Sequence, residues 1–169
     1  MKRFKNILVV ASNDARFPLL LDRAVDLARR NDGRMTLIGV VDSERAQRRV
    51  ATDDGATFDV GDLLVDAKRE ELEEAASKVA TSDASAGDPV PTEVIVGRGR
   101  DFVEVIRRVI DAGHDLVMVG CTPESRFPSL AGSSLAMHLL RKCPVPVWVD
   151  AATVSYTHLT LPTIRRGWG

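Results

Sequence analysis

The sequence predicts an α/β fold, a five-stranded parallel sheet with helices on both faces. Two observations carry this. Five short apolar runs, Ile7 to Ala11, Met35 to Val41, Thr92 to Val96, Leu116 to Gly120 and Val145 to Val149, read as strands. The clearest of them are continuously apolar, as strands covered on both faces are. Between these runs lie segments with helical spacing of apolar residues, the connection that parallel strands need.

The elements follow in order. After the first strand, a helix is expected over Phe17 to Asn31, with Leu20, Ala24, Leu27 and Ala28 inward and Gly33 as its stop. Asp42 to Gly61 is polar and reads as irregular, with a short helical turn around Ala46 to Val50. A helix over Asp62 to Ser82 follows, its inner stripe Leu72, Ala75, Ala76 and Val79 and its solvated face Glu70, Glu71, Glu73 and Glu74. Asp101 is expected as the N-cap of the next helix, with Glu104 completing a capping box. Phe102, Val105, Ile106, Val109 and Ile110 form its stripe and Gly113 ends it. A fourth helix over Ser133 to Lys142 has Arg141 and Lys142 at its negative end and is stopped by Pro144.

Composition narrows the function classes. The chain has 169 residues, 44% hydrophobic and 28% charged, with a formal net charge of −1. That balance disfavours broad binding to nucleic acid or an anionic membrane. No apolar run reaches the roughly 20 residues needed to cross a bilayer. The basic start MKRFKNILVV turns polar too early for a secretory signal, which makes the cytoplasm the expected location. Cys121 and Cys143 lack the spacing of a zinc or redox motif and read as reduced thiols.

The pattern breaks after Asp150. Val154 to Thr163, VSYTHLTLPT, continues no periodicity and contains the only Tyr of the chain. It resembles the translation of a transposase adapter used in sequencing libraries, since GTC TCT TAT ACA CAT CTG ACG CTG CCG ACG encodes it residue for residue. The expectation is a domain over residues 1–152, a non-native disordered tail over 153–169, and a second domain lost by truncation.

In open parallel sheets, ligands bind beyond the carboxyl ends of the strands, where strand order reverses. The expected site walls are therefore Ser12 to Asp14, Val41 with Asp42, and Gly120 to Ser134. Within the last, Gly132, Ser133 and Ser134 fall at a helix N-terminus, where unpaired N–H groups and the dipole can hold phosphate. The competing reading, favoured by Pro123 in the loop, is an ordinary serine cap.

The first strand ILVV, the order of elements and the ending GSS–helix–CPVPVWV resemble the universal stress protein family over about residues 3 to 150. RDFVEVIRRVIDAGHDLVMVG with MHLLRKCPVPVWV is similar to the first half of its tandem, two-domain members. The resemblance implies strand order 3-2-1-4-5, a stress-response role and a second such domain as partner. It also implies a site for ATP or another adenine nucleotide formed by Ser12, Asn13, Val41, Gly120, Gly132, Ser133 and Ser134.

That site is degenerate. ATP-binding members carry G-x-x-G, nine residues, then G-S or G-T. Here Gly120 is followed by Pro123 in place of the second glycine, and the loop is one residue short. Proline donates no N–H and fixes φ. Ser12 stands where ATP binders commonly have Asp, and lacks a carboxylate's strength toward a ribose hydroxyl.

Other candidates read blandly. His114 lies in a turn away from the ligand end, so a structural role competes with one as general base. His138 has no second metal ligand at helical spacing. Arg98-Gly99-Arg100 is either an anion clamp or a turn with solvated arginines, and Arg45, Arg48 and Arg49 read as a solvated face. No nucleophile–base pair is evident. The sequence thus predicts a regulatory module without catalytic or metal residues, acting through pairing with itself or a second domain. An ATP-binding protein with slow hydrolysis is the alternative.

Overall fold

The computed structural model describes residues 3–12, 16–42, 49–51, 57–82, 89–121 and 135–151. At its centre is β1 (Asn6–Val10), paired in parallel with β2 (Arg34–Val41) on one side and β6 (Leu116–Cys121) on the other. β5 (Thr92–Arg98) flanks β2, and β7 (Val147–Ala151) flanks β6, both in parallel. The order β5-β2-β1-β6-β7 is the expected 3-2-1-4-5 once a short hairpin outside the sheet is set aside.

Successive residues of a strand face opposite sides, and β1 shows why its sequence is apolar throughout. Ile7 and Val9 pack under α1 (Phe17–Asn31) and α2 (Val60–Ser82), against Leu20, Ala24, Ala28 and Leu72. Leu8 and Val10 face α3 (Asp101–Ala112) and α4 (Leu135–Lys142), against Val105, Val109 and Leu139. Each fully buried side chain of this size contributes about 1.5–3 kcal/mol. Among the described residues no helix is long and apolar enough to cross a membrane.

Several local expectations need correction. The segment expected to be irregular contains an antiparallel hairpin, β3 (Arg49–Ala51) with β4 (Thr57–Asp59). Val50 is therefore a strand residue. Strands this short show no period in a sequence. Asp59 Oδ1 accepts the Gly61 N–H at 2.8 Å, a cap that starts α2 earlier than Asp62. Asp32, not Gly33, takes the left-handed conformation (φ 48°) that ends α1. The Asp32 N–H reaches the Arg29 carbonyl and the Gly33 N–H reaches the Ala28 carbonyl. Gly33 is needed for space, since a Cβ there would sit 3.0 Å from the Lys5 carbonyl oxygen.

The capping box is not formed. Arg100 is the N-cap of α3 and Asp101 its first helical residue, its carboxylate accepting the Phe102 N–H at 2.7 Å. Glu104 pairs with Arg107 instead. Ile110, placed on the inner stripe by spacing, is 65% exposed. Gly113 ends α3 as expected, at φ 62°. β7 begins two residues later than Val145. The Pro146 carbonyl accepts the Val117 N–H at 3.0 Å, but proline has no N–H to return.

The amino end of the sheet is closely tied. Asn6 Nδ2 donates to the Ala112 and Gly113 carbonyls at 3.0 and 3.1 Å. Its Oδ1 accepts from Arg34 Nε at 3.2 Å. The Asp115 carboxylate accepts the backbone N–H groups of Lys5 (2.8 Å) and Asn6 (3.1 Å). One side chain thus joins β1, the end of α3 and the start of β2.

Candidate functional site

The carboxyl ends of the strands are positioned by the ladder itself. The Ala11 N–H donates to the Ile38 carbonyl at 2.9 Å, which leaves Ser12 just beyond the sheet. Gly120 lies near the end of β6. A Cβ built on it would stand 3.6 Å from Ser12 Oγ and 4.0 Å from Leu20 Cδ2, ordinary contact distances. The fold thus brings Ser12 and Gly120 together, and the described packing does not itself require glycine at residue 120. Opposite Gly120 in the β6–β7 register is Asp150, buried at 6% exposure and ion-paired with Arg23 of α1. The pair neutralises the one charged side chain buried at this end among the described residues.

A cavity of about 420 Å³ opens at the ends of β2 and β5, against the first turn of α3. Val40, Asp42, Arg100, Asp101, Phe102 and His138 line it. Val41 faces the other side of β2, buried, and its carbonyl accepts the Gly99 N–H at 3.0 Å. The first turn of α3 carries Asp101 and Glu104, so its positive end is already served by carboxylates. With Asp42 and Asp101 against Arg100, this wall repels an anion. Its distinctive feature is flat and apolar. The rings of Phe102 and His138 stack at 4.8 Å with 13° between planes, and Lys142 Nζ lies 5.0 Å from the Phe102 centroid. The chemistry suits a planar, uncharged group better than a phosphate.

Asn13, Gly132, Ser133 and Ser134, together with Pro123, lie outside the described residues. So do Arg45, Arg48, the side chain of Arg49 and residues 153–169. Arg98 is exposed and paired with Asp62 of α2, which raises its already high pKa and ties it to a neighbour. The Cys143 thiol is half-buried, and burial pushes it up, away from the reactive thiolate. Among the described residues no group of three or more His, Cys, Asp and Glu side chains could hold a metal ion.

The Phe102–His138 stack and the Arg23–Asp150 pair were not found by sequence reasoning. Each joins elements whose adjacency depends on strand order. The usable signal was Phe102 at the head of the α3 stripe and the lone acid Asp150 closing an apolar strand.

Residues 3–150 match the model of the universal stress protein family. The chain is 29% identical over 151 residues to universal stress protein E of Photorhabdus laumondii subsp. laumondii, a match covering 88% of this chain and 46% of that protein. It thus spans about half the length of that curated relative. Its fold matches the universal stress protein UspA from Lactobacillus plantarum with a TM-score of 0.66 at 21% identity, covering 88% and 98% of the two chains. A universal stress protein from Archaeoglobus fulgidus, solved in complex with dAMP, matches with a TM-score of 0.55 at 16% identity over 88% and 98%. At these identities the likeness to solved structures is one of fold.

Proposed function

The chain belongs to the universal stress protein family, and from that premise we propose that it is a non-catalytic regulatory module working through pairing, with a degenerate nucleotide site. The partner is a second copy or a second universal stress domain, docked on the free edge of β7.

The observation that carries this reading is the edge itself. Among the described residues, β7 is paired only with β6. Because the Val117 N–H binds the Pro146 carbonyl, the backbone groups of Val147 and Val149 point away from β6. Trp148 is 44% exposed on the same strand. Among the described residues nothing pairs with this edge, and an apolar edge of that kind is an opening for strand pairing. A relative about twice as long leaves room for a second unit in one polypeptide.

Sedimentation velocity tests it. The chain should sediment as a dimer, and Trp148→Lys and Val149→Pro should each shift it toward monomer while keeping the far-UV spectrum. A wild-type monomer across the accessible concentration range would overturn the pairing.

The second reading is an ATP-binding protein with slow hydrolysis, using Ser133 and Ser134 on the phosphates. The cavity beside Phe102 and His138 favours it, being flat-walled and near the end of β2. The archaeal relative with dAMP supports an adenine nucleotide as the ligand class. Against it stand Ser12 in place of the acid and Pro123 in the loop. Any adenine nucleotide is therefore held weakly.

A further inference from the structure

The opposite end of the sheet holds a feature that the family reading does not use. There β1, β2 and β5 begin with polar side chains, Asn6, Arg34 and Thr92, and a cavity of about 420 Å³ lies among them. Its polar wall is Asn6 of β1, Arg34 and Thr36 of β2, Glu93 of β5, Arg108 of α3, and His114 from the turn before β6. His114 is 4% exposed, and neither ring nitrogen has a hydrogen-bond partner among the described residues. Arg108 Nε is buried and equally unserved, although its Nη2 holds the Glu93 carboxylate at 3.1 and 3.0 Å. Arg34 Nε is spent on Asn6 Oδ1 at 3.2 Å.

Buried polar atoms without partners are rare, and where they cluster around a cavity they call for water, an ion or a ligand to supply the bonds. The charges say which kind. Arg34 and Arg108 face a single carboxylate, Glu93. Asp115, the other nearby acid, holds the Lys5 and Asn6 amides and is not among the residues that line the cavity. The wall therefore carries excess positive charge in the fork geometry that suits oxyanions.

We propose that this cavity binds a small oxyanion, a carboxylate or phosphate group, between the guanidiniums of Arg34 and Arg108 and a His114 ring that takes up a proton as the anion binds. Burial is the first cause that holds His114 below the ordinary histidine range. Arg108 and Arg34 push the same way. Glu93 and the Asn6 backbone carbonyl, which also accepts the Asp115 N–H, pull upward more weakly than burial pushes down. An anion placed between the two guanidiniums and the neutral ring cancels the repulsion and draws a proton to the ring. The site lies at the far end of the strands from Ser12 and Gly120, so it stands or falls independently of nucleotide binding.

The test follows the His114 ring by NMR titration against pH, alone, with millimolar inorganic phosphate, and with millimolar succinate. In the wild type at least one probe should raise the His114 midpoint by about one unit or more. Arg108→Gln should lose most of that rise while keeping the native circular dichroism, because its removal frees only the exposed Glu93. Arg34→Gln provides the second variant. A response to phosphate alone or to succinate alone supports the proposal and names the group taken. No movement with either probe, or an equal rise in both arginine variants, would overturn it.

Discussion

The two ends of the sheet are built differently. At the amino end, Asn6, Arg34, Glu93, Arg108 and Asp115 form a dense set of polar groups tied to backbone and to one another, with the His114 ring buried beside them. At the carboxyl end, where this architecture places its ligands, the described polar groups are a serine hydroxyl beside Gly120, a neutralised Arg23–Asp150 pair and a wall with more acid than base. Among the described residues, the hydrogen-bonded polar groups are concentrated at the amino end of the sheet, away from the end where this architecture places its ligands.

Replacing one residue at each end sharpens that contrast most. Asn6→Ala strands two helix-end carbonyls and frees Arg34, and should cost about 2–3 kcal/mol in urea unfolding. Ser12→Ala should change stability by no more than about 0.5 kcal/mol. Equal costs would erase the distinction.

A smaller effect is expected from pH. The folded chain keeps His114 neutral below the ordinary value of 6.5, while the unfolded chain titrates near that value. In that window the unfolded chain binds more protons. Stability should therefore be complete above about pH 6.5 and decline as pH falls toward the folded midpoint. His114→Leu should flatten this slope, measured as urea midpoints across mildly acidic pH. An unchanged slope would assign the dependence to another group. The smallest effect belongs to Gly120→Ala, whose added methyl meets Ser12 and Leu20 at ordinary distances. Its melting midpoint should stay close to the wild type, and a large drop would mean that glycine is structurally required there.

Much of the fold, though not this contrast, was legible in the sequence. Continuous apolar runs such as ILVV marked buried parallel strands, and the resemblance supplied the strand order that the sheet then displayed. The β3–β4 hairpin was not legible, because three-residue strands carry no period. Asp101 was placed one position too far out, since a capping-box spacing also fits an acid inside the first turn. Of the expected site, Ser12 and Gly120 meet, while Val41 turns from the cavity that Val40 lines. The amino-end cluster left a trace that was passed over. Asn6, Arg34, Glu93, His114 and Asp115 stand at or just before strand starts, and parallel strands bring all their starts to one end. His114 reads as a turn residue, and its place in the cavity wall depends on residues of β1, β2 and β5 that the local sequence does not bring beside it.

The degenerate nucleotide site is tested most directly by thermal melting with Mg-ATP. A ligand at 100 times its dissociation constant stabilises the folded state by about 2.7 kcal/mol. The account predicts no rise in melting midpoint at millimolar Mg-ATP, in the wild type or in Arg108→Gln. A concentration-dependent rise that survives Arg108→Gln and disappears in Ser133→Ala/Ser134→Ala would contradict it.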